Sequence, residues 1–276
     1  MQTVLTIAGF DPSSGAGATA DLMVFAAHSL FGTACITALT VQTPHGVRST
    51  HPTAPDVVRT TLQCLDEELP PIGIKIGMIA TEDNINEICN YIDNINLKHS
   101  ENNRPSIVLD PVLRSTSGRE LLDPSAVSVL RDRLLPLVDW VTPNLDELAI
   151  LAGVEVLRRE HLPLASRLLQ QRIAQRPNGR RIGICATGGH LDPPDDYLLL
   201  PSGEDIWLPG ERILTRATHG TGCAFSSAFL SHLVLGDTPQ QAARAAKLYV
   251  AQAMRSAISI EKNISIMNYI HNISKQ

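Results

Sequence analysis

The residues best suited to chemistry lie in the last quarter of the chain, in Thr218-His219-Gly220-Thr221-Gly222-Cys223-Ala224. Two glycines flanking a threonine let successive backbone N–H groups turn toward one point, and the small residues that follow open a helix whose positive end faces the same point. Such a cradle holds an anion. Phosphoryl transfer depends strongly on preorganised donors of this kind, because its catalysis is mostly positioning and charge stabilisation. Cys223 stands at the start of that helix, where a thiol has its pKa lowered and is suited to take a proton from an attacking hydroxyl. The plain alternatives are a helix start packed tightly on a neighbour and an inert buried thiol.

A second small, turn-forming stretch, Gly9-Phe10-Asp11-Pro12-Ser13-Ser14-Gly15-Ala16-Gly17, follows an apolar run near the N-terminus. It is not a Walker A loop, since no Lys-Ser/Thr follows its glycines, and it lacks the G-x-G-x-x-G order of a dinucleotide fingerprint. By itself it is equally an ordinary strand-to-helix turn. Carboxylates stand at two other places where apolar runs end: Asp110 in Leu109-Asp110-Pro111, and Glu147 in Thr142-Pro143-Asn144-Leu145-Asp146-Glu147. A nucleotide triphosphate needs Mg²⁺, a hard ion that binds through one or two carboxylates and water, so Asp110 and Glu147 are the candidate metal ligands. Asp110 and Asn144 as mere helix caps is the competing reading. Gln42, just past the run ending in Val41, carries an amide that both donates and accepts, which matches the edge of an aminopyrimidine. Met78 supplies an adaptable apolar wall for a flat ring, or is simply core.

These residues need a scaffold that brings strand ends together. Short Val/Ile-rich runs alternate with longer segments of helical period, the pattern of βαβ units and a mostly parallel sheet covered on both faces. The expected strands are 3–8, 34–41, 72–76, 107–109, 140–142 and 182–186. In an open parallel sheet, ligands gather at the carboxyl ends of the strands, where the unusual residues fall. Thr53-Ala54-Pro55-Asp56 and Thr238-Pro239-Gln240-Gln241 read as helix starts. The polar stretch 98–105 and the turn-rich 191–196 read as surface loops, and the tail after about residue 261 carries no readable signal.

Composition narrows the field. With 276 residues, 43% of them hydrophobic, the chain can bury a large core and is expected to form one domain, 1–276. A net charge of −5 gives no basic field for nucleic acid or an anionic membrane, so anion binding must be local. The N-terminus lacks the basic region of a signal peptide, and a cytoplasmic protein is expected. Five scattered cysteines and nine dispersed histidines form no metal-ligand spacing, which disfavours structural zinc and disulfides.

Taken in order, TIAGFDPSSGAG, ITALTVQT, KIGM, LDPV, TPNLDE, GGHL and THGTGC resemble the hydroxymethylpyrimidine/phosphomethylpyrimidine kinases of thiamine biosynthesis, over about residues 3–258. THGTGC carries most of that specificity, because the sugar and nucleoside kinase relatives usually have Asp where Cys223 stands. The resemblance implies a three-layer α/β/α ribokinase-like fold without the large lid of the sugar kinases. It implies ATP and Mg²⁺ as cofactors, and phosphorylation first of the free alcohol and then of its monophosphate. It makes Gln42 the pyrimidine-binding amide, with Gly9, Ala16, Met78 and Val112 lining the ring pocket and Asp21 nearby. Gly220, Thr221, Gly222 and Cys223 become the anion hole, with Cys223 as base or acid. Asp110 and Glu147 fall around magnesium and the ATP phosphates, with Asn144, Thr187 and Gly189 on the nucleotide. A homo-oligomer is expected, a dimer being favoured.

The chain departs from that pattern where cations are concerned. The family often has Lys before Gly-Gly-His, where this chain has Thr187, and often Lys-Ser-Gly after Asp-Pro-Val, where this chain reads Arg114-Ser115-Thr116-Ser117-Gly118. Arg114 is one available charge, with bidentate geometry. The cationic ligand of the phosphates is thus left open. Two rivals remain at this point: a pyridoxal kinase of the same fold, and a catalytically silent protein that binds nucleotide or pyrimidine.

Overall fold

The structure is a computed structural model that describes all residues except 44–45, 101–102, 116–117, 177–178, 262–263 and 274–276. Nine strands form one sheet in the order β3-β2-β1-β4-β5-β6-β7-β8-β9. These are β1 (Thr3–Phe10), β2 (Phe31–Thr43), β3 (Gly46–Pro52), β4 (Gly73–Ile76), β5 (Ser106–Leu109), β6 (Trp140–Val141), β7 (Gly183–Ala186), β8 (Asp196–Leu199) and β9 (Asp205–Leu208). From β2 to β7 every neighbouring pair is parallel, while β3, β8 and β9 each join antiparallel to the strand before them in the chain.

All six expected strands are present, shifted at most a few residues at their ends: β1, β4, β5, β6 and β7 are apolar runs buried on both faces, and β2 is buried largely on alternate residues. The three antiparallel strands were not foreseen. β3 is GVRSTHP and lies half-exposed at a sheet edge, so it has neither the apolar run nor the clean alternation that marks a strand. β8 and β9 are only four residues each.

Side chains alternate between two cores. Leu5 and Ile7 of β1 join one cluster, beneath α2 (Pro55–Glu68), α3 (Glu82–Lys98), α5 (Leu145–Ala152) and α6 (Leu162–Ala174); Val4 joins the other, beneath α1 (Gly17–Ala27), α7 (Thr221–Val234) and α8 (Pro239–Arg255). Between β5 and β6 the chain forms a short turn of helix, α4 (Val127–Val129), which runs on through a π turn at Leu130–Leu134. The result is the expected three-layer α/β/α arrangement. No helix among the described residues is long and apolar enough to cross a membrane.

Helix starts follow local chemistry. Thr238 and Gln241 form a capping box at α8, with Pro239 in the first turn. Asn144 and Glu147 form another at α5, the Asn144 Oδ1 accepting from Glu147 N at 3.0 Å and Glu147 Oε2 from Asn144 N at 2.9 Å. At α2 the cap position falls on Ala54 rather than Thr53, and no side chain caps it; Pro55, which has no N–H to satisfy, carries the start. The turn 191–196 is only partly surface: Asp195 and Asp196 are buried, each accepting a backbone N–H, from Gly210 and Gly188.

The topology predicts where a ligand sits. The chain leaves β1 for β2 on one side and later enters β4 on the other, so the strand order reverses between β1 and β4. A crevice opens at the carboxyl ends of such a pair.

Candidate active site

That crevice is present as a cleft of about 1140 Å³. Its floor is made by the turns that follow β1, β4 and β5. After β1, Gly17 adopts a φ of +62°, and a Cβ there would strike the carbonyl oxygen of Gly9, so only glycine lets the loop fold back on its strand. After β4, Met78 lays its thioether over Gly9: a Cβ on Gly9 would lie 2.8 Å from Met78 Sδ. Met78, Ala38 and Ala80 form a small apolar cluster that Val112 packs against. Gln42, at a β-bulge near the end of β2, stands on the same wall.

The opposite wall is the start of α7. Gly220 is its N-cap at φ +82°, a left-handed conformation, and Thr221, Gly222 and Cys223, the first residues of the helix, line the cleft. Gly222 lies over Asp110: a Cβ there would make ordinary contact with Asp110 Oδ2 at 3.7 Å. Further along, Asn144, Glu147, Thr187 and Gly189 line the cleft beyond β6 and β7, where Thr187 pairs with Asn144 in a parallel bridge. The cradle, the ring-pocket residues and the nucleotide candidates therefore share one cavity.

One expected pocket residue lies elsewhere. Asp21 is fully buried beneath the cleft and its carboxylate is saturated: it accepts from Lys75 Nζ at 2.9 and 3.0 Å, from Thr6 Oγ1 at 2.6 Å and from Ser227 Oγ at 2.8 Å. No lone pair is left facing a ring. Asp21 instead holds Lys75, a fully buried ammonium. Burial alone would strip its proton, but the Asp21 carboxylate, with Cys223 and Asp110 nearby, outweighs that and raises its pKa. A lysine within the apolar run 72–76 was a visible signal for this residue, and sequence reasoning passed over it.

The electrostatics overturn a second expectation. Burial pushes the Cys223 thiol up to about 12; Lys75 and the Gly17 N–H pull it down, but Asp110 and Asp21 add to the rise. The helix-start effect is thus overridden, and Cys223 rests as a neutral thiol. Burial also raises Asp110 against the pull of Lys75, with hydrogen bonds from Ser226 and Cys223 opposing the rise. Glu147 is driven up to about 8 by burial first and by the Asp110 carboxyl second, despite N–H donors at Asn144 and Leu113. Asn144 and Glu147 do cap α5, but Asp110 caps nothing: it opens a loop rather than a helix. Asp110 and Glu147 are two buried carboxyls, the first of which raises the second, and a divalent cation relieves such a site; carboxylate oxygen is the donor that Mg²⁺ prefers. No group of three or more metal-ligating side chains occurs among the described residues, so phosphate and water oxygens would complete such a shell.

Asp11 was also missed. Burial would raise its pKa, yet hydrogen bonds from His219, Ser13 and Gln42 hold it at about 2. One Gln42 N–H is thereby committed to Asp11, which leaves the second N–H and the carbonyl oxygen for a ligand. His219 Nε2 lies 2.9 Å from Asp11 Oδ2 and ties the two glycine loops together.

Other cations line the cleft. Lys247 and Arg244 of α8 and Arg212 line the nucleotide side of the cleft. Lys247 Nζ pairs with Asp196 Oδ2 at 2.7 Å, and Asp196 in turn accepts from Gly188 N beside Thr187. Arg114 stands on the cleft rim, largely exposed and 3.8 Å from Glu120. Thr116 and Ser117 lie outside the described residues.

A family model described as phosphomethylpyrimidine kinase matches residues 11–268. The chain belongs to this family. It is 34% identical to the hydroxymethylpyrimidine/phosphomethylpyrimidine kinase of Aquifex aeolicus, covering 96% of this chain and 99% of that one. It is 36% identical to the enzyme of the same name from Escherichia coli, over 93% and 92% of the two chains. Among solved structures, the phosphomethylpyrimidine kinase of Clostridium difficile aligns with a TM-score of 0.75 at 31% identity, over 92% of this kinase and 99% of that chain. The ADP complex of Bacillus subtilis pyridoxal kinase aligns with a TM-score of 0.82 at 27% identity, over 98% and 97%. The ribokinase-like fold and the kinase class expected from the motifs are both those of the relatives.

Proposed function

We propose that this kinase transfers the γ-phosphoryl group of ATP to the hydroxymethyl arm of 4-amino-5-hydroxymethyl-2-methylpyrimidine, and then to the phosphate of the product, giving the diphosphate used in thiamine biosynthesis. The observation that carries this reading is the shared cleft: the Gly220 to Cys223 amides open onto the same cavity as Gln42, Met78 and Val112. An acceptor ring held by Gln42 against Met78 places its exocyclic arm toward the cradle, and the nucleotide enters along Asn144, Thr187, Gly189 and Lys247. We place this activity in the cytoplasm and assign it to the chain as one kinase domain.

Asp110 and Glu147 would hold Mg²⁺, which supplies neutralisation of charge on the transferring phosphoryl group. The remaining work falls to the protein. The amides at the start of α7 bind the migrating group, and the helix dipole adds to them. Cys223, at the start of the cradle, takes the acceptor's hydroxyl proton on sulfur once its own proton has been released to solvent, and the Lys75 ammonium, which pulls the thiol's pKa down, favours the thiolate for that step. Lys75, paired with Asp21 beneath, keeps a positive charge under this exchange.

A second reading, phosphorylation of pyridoxal, is favoured by the higher structural likeness to pyridoxal kinases, with a TM-score of 0.83 at 27% identity to the Staphylococcus aureus enzyme. Purified protein with ATP and Mg²⁺ is to be given hydroxymethylpyrimidine, its monophosphate or pyridoxal, and ADP release followed. Turnover of both pyrimidines at higher kcat/KM than pyridoxal is expected. Turnover of pyridoxal alone overturns the proposal in favour of the second reading, and no turnover of any of the three leaves a silent binding protein.

A further inference from the structure

The two glycine loops are joined at a point where a residue from the C-terminal segment also arrives. Tyr269 is 3% exposed and donates its hydroxyl to the carbonyl oxygen of Gly15 at 2.6 Å. That same carbonyl packs directly on Gly220, so closely that a Cβ on Gly220 would collide with it and would lie 2.5 Å from the Tyr269 hydroxyl oxygen. Gly220 is the N-cap of α7, and its position sets the direction of every amide in the cradle. Tyr269 lies one residue beyond the stretch that the family model matches, which ends at 268.

The segment that carries Tyr269 is anchored independently of the cleft. Asn268 N donates to Ala253 O at 3.1 Å, the Tyr249 hydroxyl of α8 donates to Tyr269 O, and Asn272 Nδ2 donates to Ala27 O at 2.9 Å. Met267 is buried in the core beneath α7 and α8, and the His271 ring lies 4.9 Å from that of Tyr249. A hydroxyl mounted on so many fixed points is itself fixed. The Gly15 carbonyl is buried with it, so a bond lost there is not replaced by water and the loop must shift to find another partner.

We propose that Tyr269 is a positioning residue for phosphoryl transfer: its hydroxyl pins the Gly15 carbonyl against Gly220 and so sets the spacing of the two glycine loops that form the anion cradle. This rests on the kinase reading above. A displacement of about 1 Å in such a site costs on the order of 10²-fold in rate, and the loss of one of several ties between the loops, the Asp11–His219 pair being retained, should cost less. Tyr269→Phe keeps the ring and removes only the hydroxyl. Its kcat is expected to fall roughly 10-fold or more, with the pyrimidine KM and the ADP affinity unchanged within twofold and the Tm within a few degrees of the unsubstituted protein. Affinity for inorganic phosphate in the presence of ADP, measured by calorimetry, should weaken in parallel.

A purely space-filling role for the ring predicts instead that Tyr269→Phe keeps full kcat and phosphate affinity, and that result overturns the inference. Should Tyr269→Phe fail to fold, Tyr269→Leu is the second variant, which also lacks the hydroxyl that reaches Gly15 O; a fall in kcat and phosphate affinity without a change in pyrimidine KM supports the inference, and unchanged kcat overturns it. The unsubstituted protein is assayed alongside: inactivity there sinks the kinase reading, whereas activity retained in both variants sinks only the role of Tyr269.

Discussion

The two halves of the cleft are built in different ways. The acceptor half stands on the ends of β1, β2, β4 and β5, four adjacent strands, so its residues Gly9, Gln42, Met78 and Val112 sit at or just beyond strand ends and are placed by the sheet itself. The nucleotide half begins on β6 and β7 but is completed by antiparallel additions and by α8, with Lys247 reaching Asp196 and Asp196 holding Gly188. Strand-end residues are fixed by register. A cation delivered on a helix can come from anywhere in the chain: Lys247, which lines the cleft, lies sixty residues after Thr187.

Cys223 stands where the halves meet, and its substitution should have the largest effect. Cys223→Ala should lower kcat roughly 10²-fold if the thiol passes a proton, with both KM values little changed. Steady-state kinetics with ATP and hydroxymethylpyrimidine, the acceptor that carries the hydroxyl proton, check this, and full activity in the variant would leave the backbone amides as the sole catalytic element.

Lys247→Ala probes the nucleotide half alone. A charge-assisted contact to phosphate contributes about 1.5–3 kcal/mol, roughly 10- to 100-fold, and the loss should fall on the KM for ATP while the pyrimidine KM stays put. Asp196 would lose its partner in the same variant, so Lys247→Arg is the companion: it keeps the charge and should recover most of the ATP affinity. If Lys247→Ala leaves the KM for ATP unchanged, the division of labour between the halves is wrong. Gln42→Ala is the converse, with a pyrimidine KM raised roughly 10-fold by the loss of ring-edge hydrogen bonds and the KM for ATP unaffected.

The same division explains what could be read from sequence. The parallel strands and the acceptor wall were legible because Val/Ile runs ending in Gly, Gln, Met or Asp report both a strand and its carboxyl end. The capping box at Thr238 was legible because it is wholly local. Asp21 was misplaced because nothing in its neighbourhood shows that Lys75, Thr6 and Ser227 converge on it across three elements. The Cys223 pKa was misjudged because helix position is local while burial and the Asp110 and Asp21 charges are not. Tyr269 had no signal at all, since its role comes from where the tail docks.

The smallest expected effect concerns Glu147 and stability rather than rate. Its carboxyl is raised from an ordinary 4.5 to about 8, by burial and by Asp110. A carboxyl with a folded-state pKa above its unfolded one favours the fold when protonated, so its contribution is complete below pH 4.5 and is lost as pH rises through about 8. The protein without nucleotide or metal should therefore lose thermal stability between about pH 4.5 and 8. Glu147→Gln keeps an acceptor for the Asn144 N–H and carries no charge, so its Tm should decline less over that range and exceed the parent's at the alkaline end by a few degrees, at about 2–4 °C per kcal/mol for a chain of this size. Differential scanning calorimetry of both proteins across the range decides it: parallel curves would mean that Glu147 is already ionised over that range, and that burial and Asp110 do not raise it.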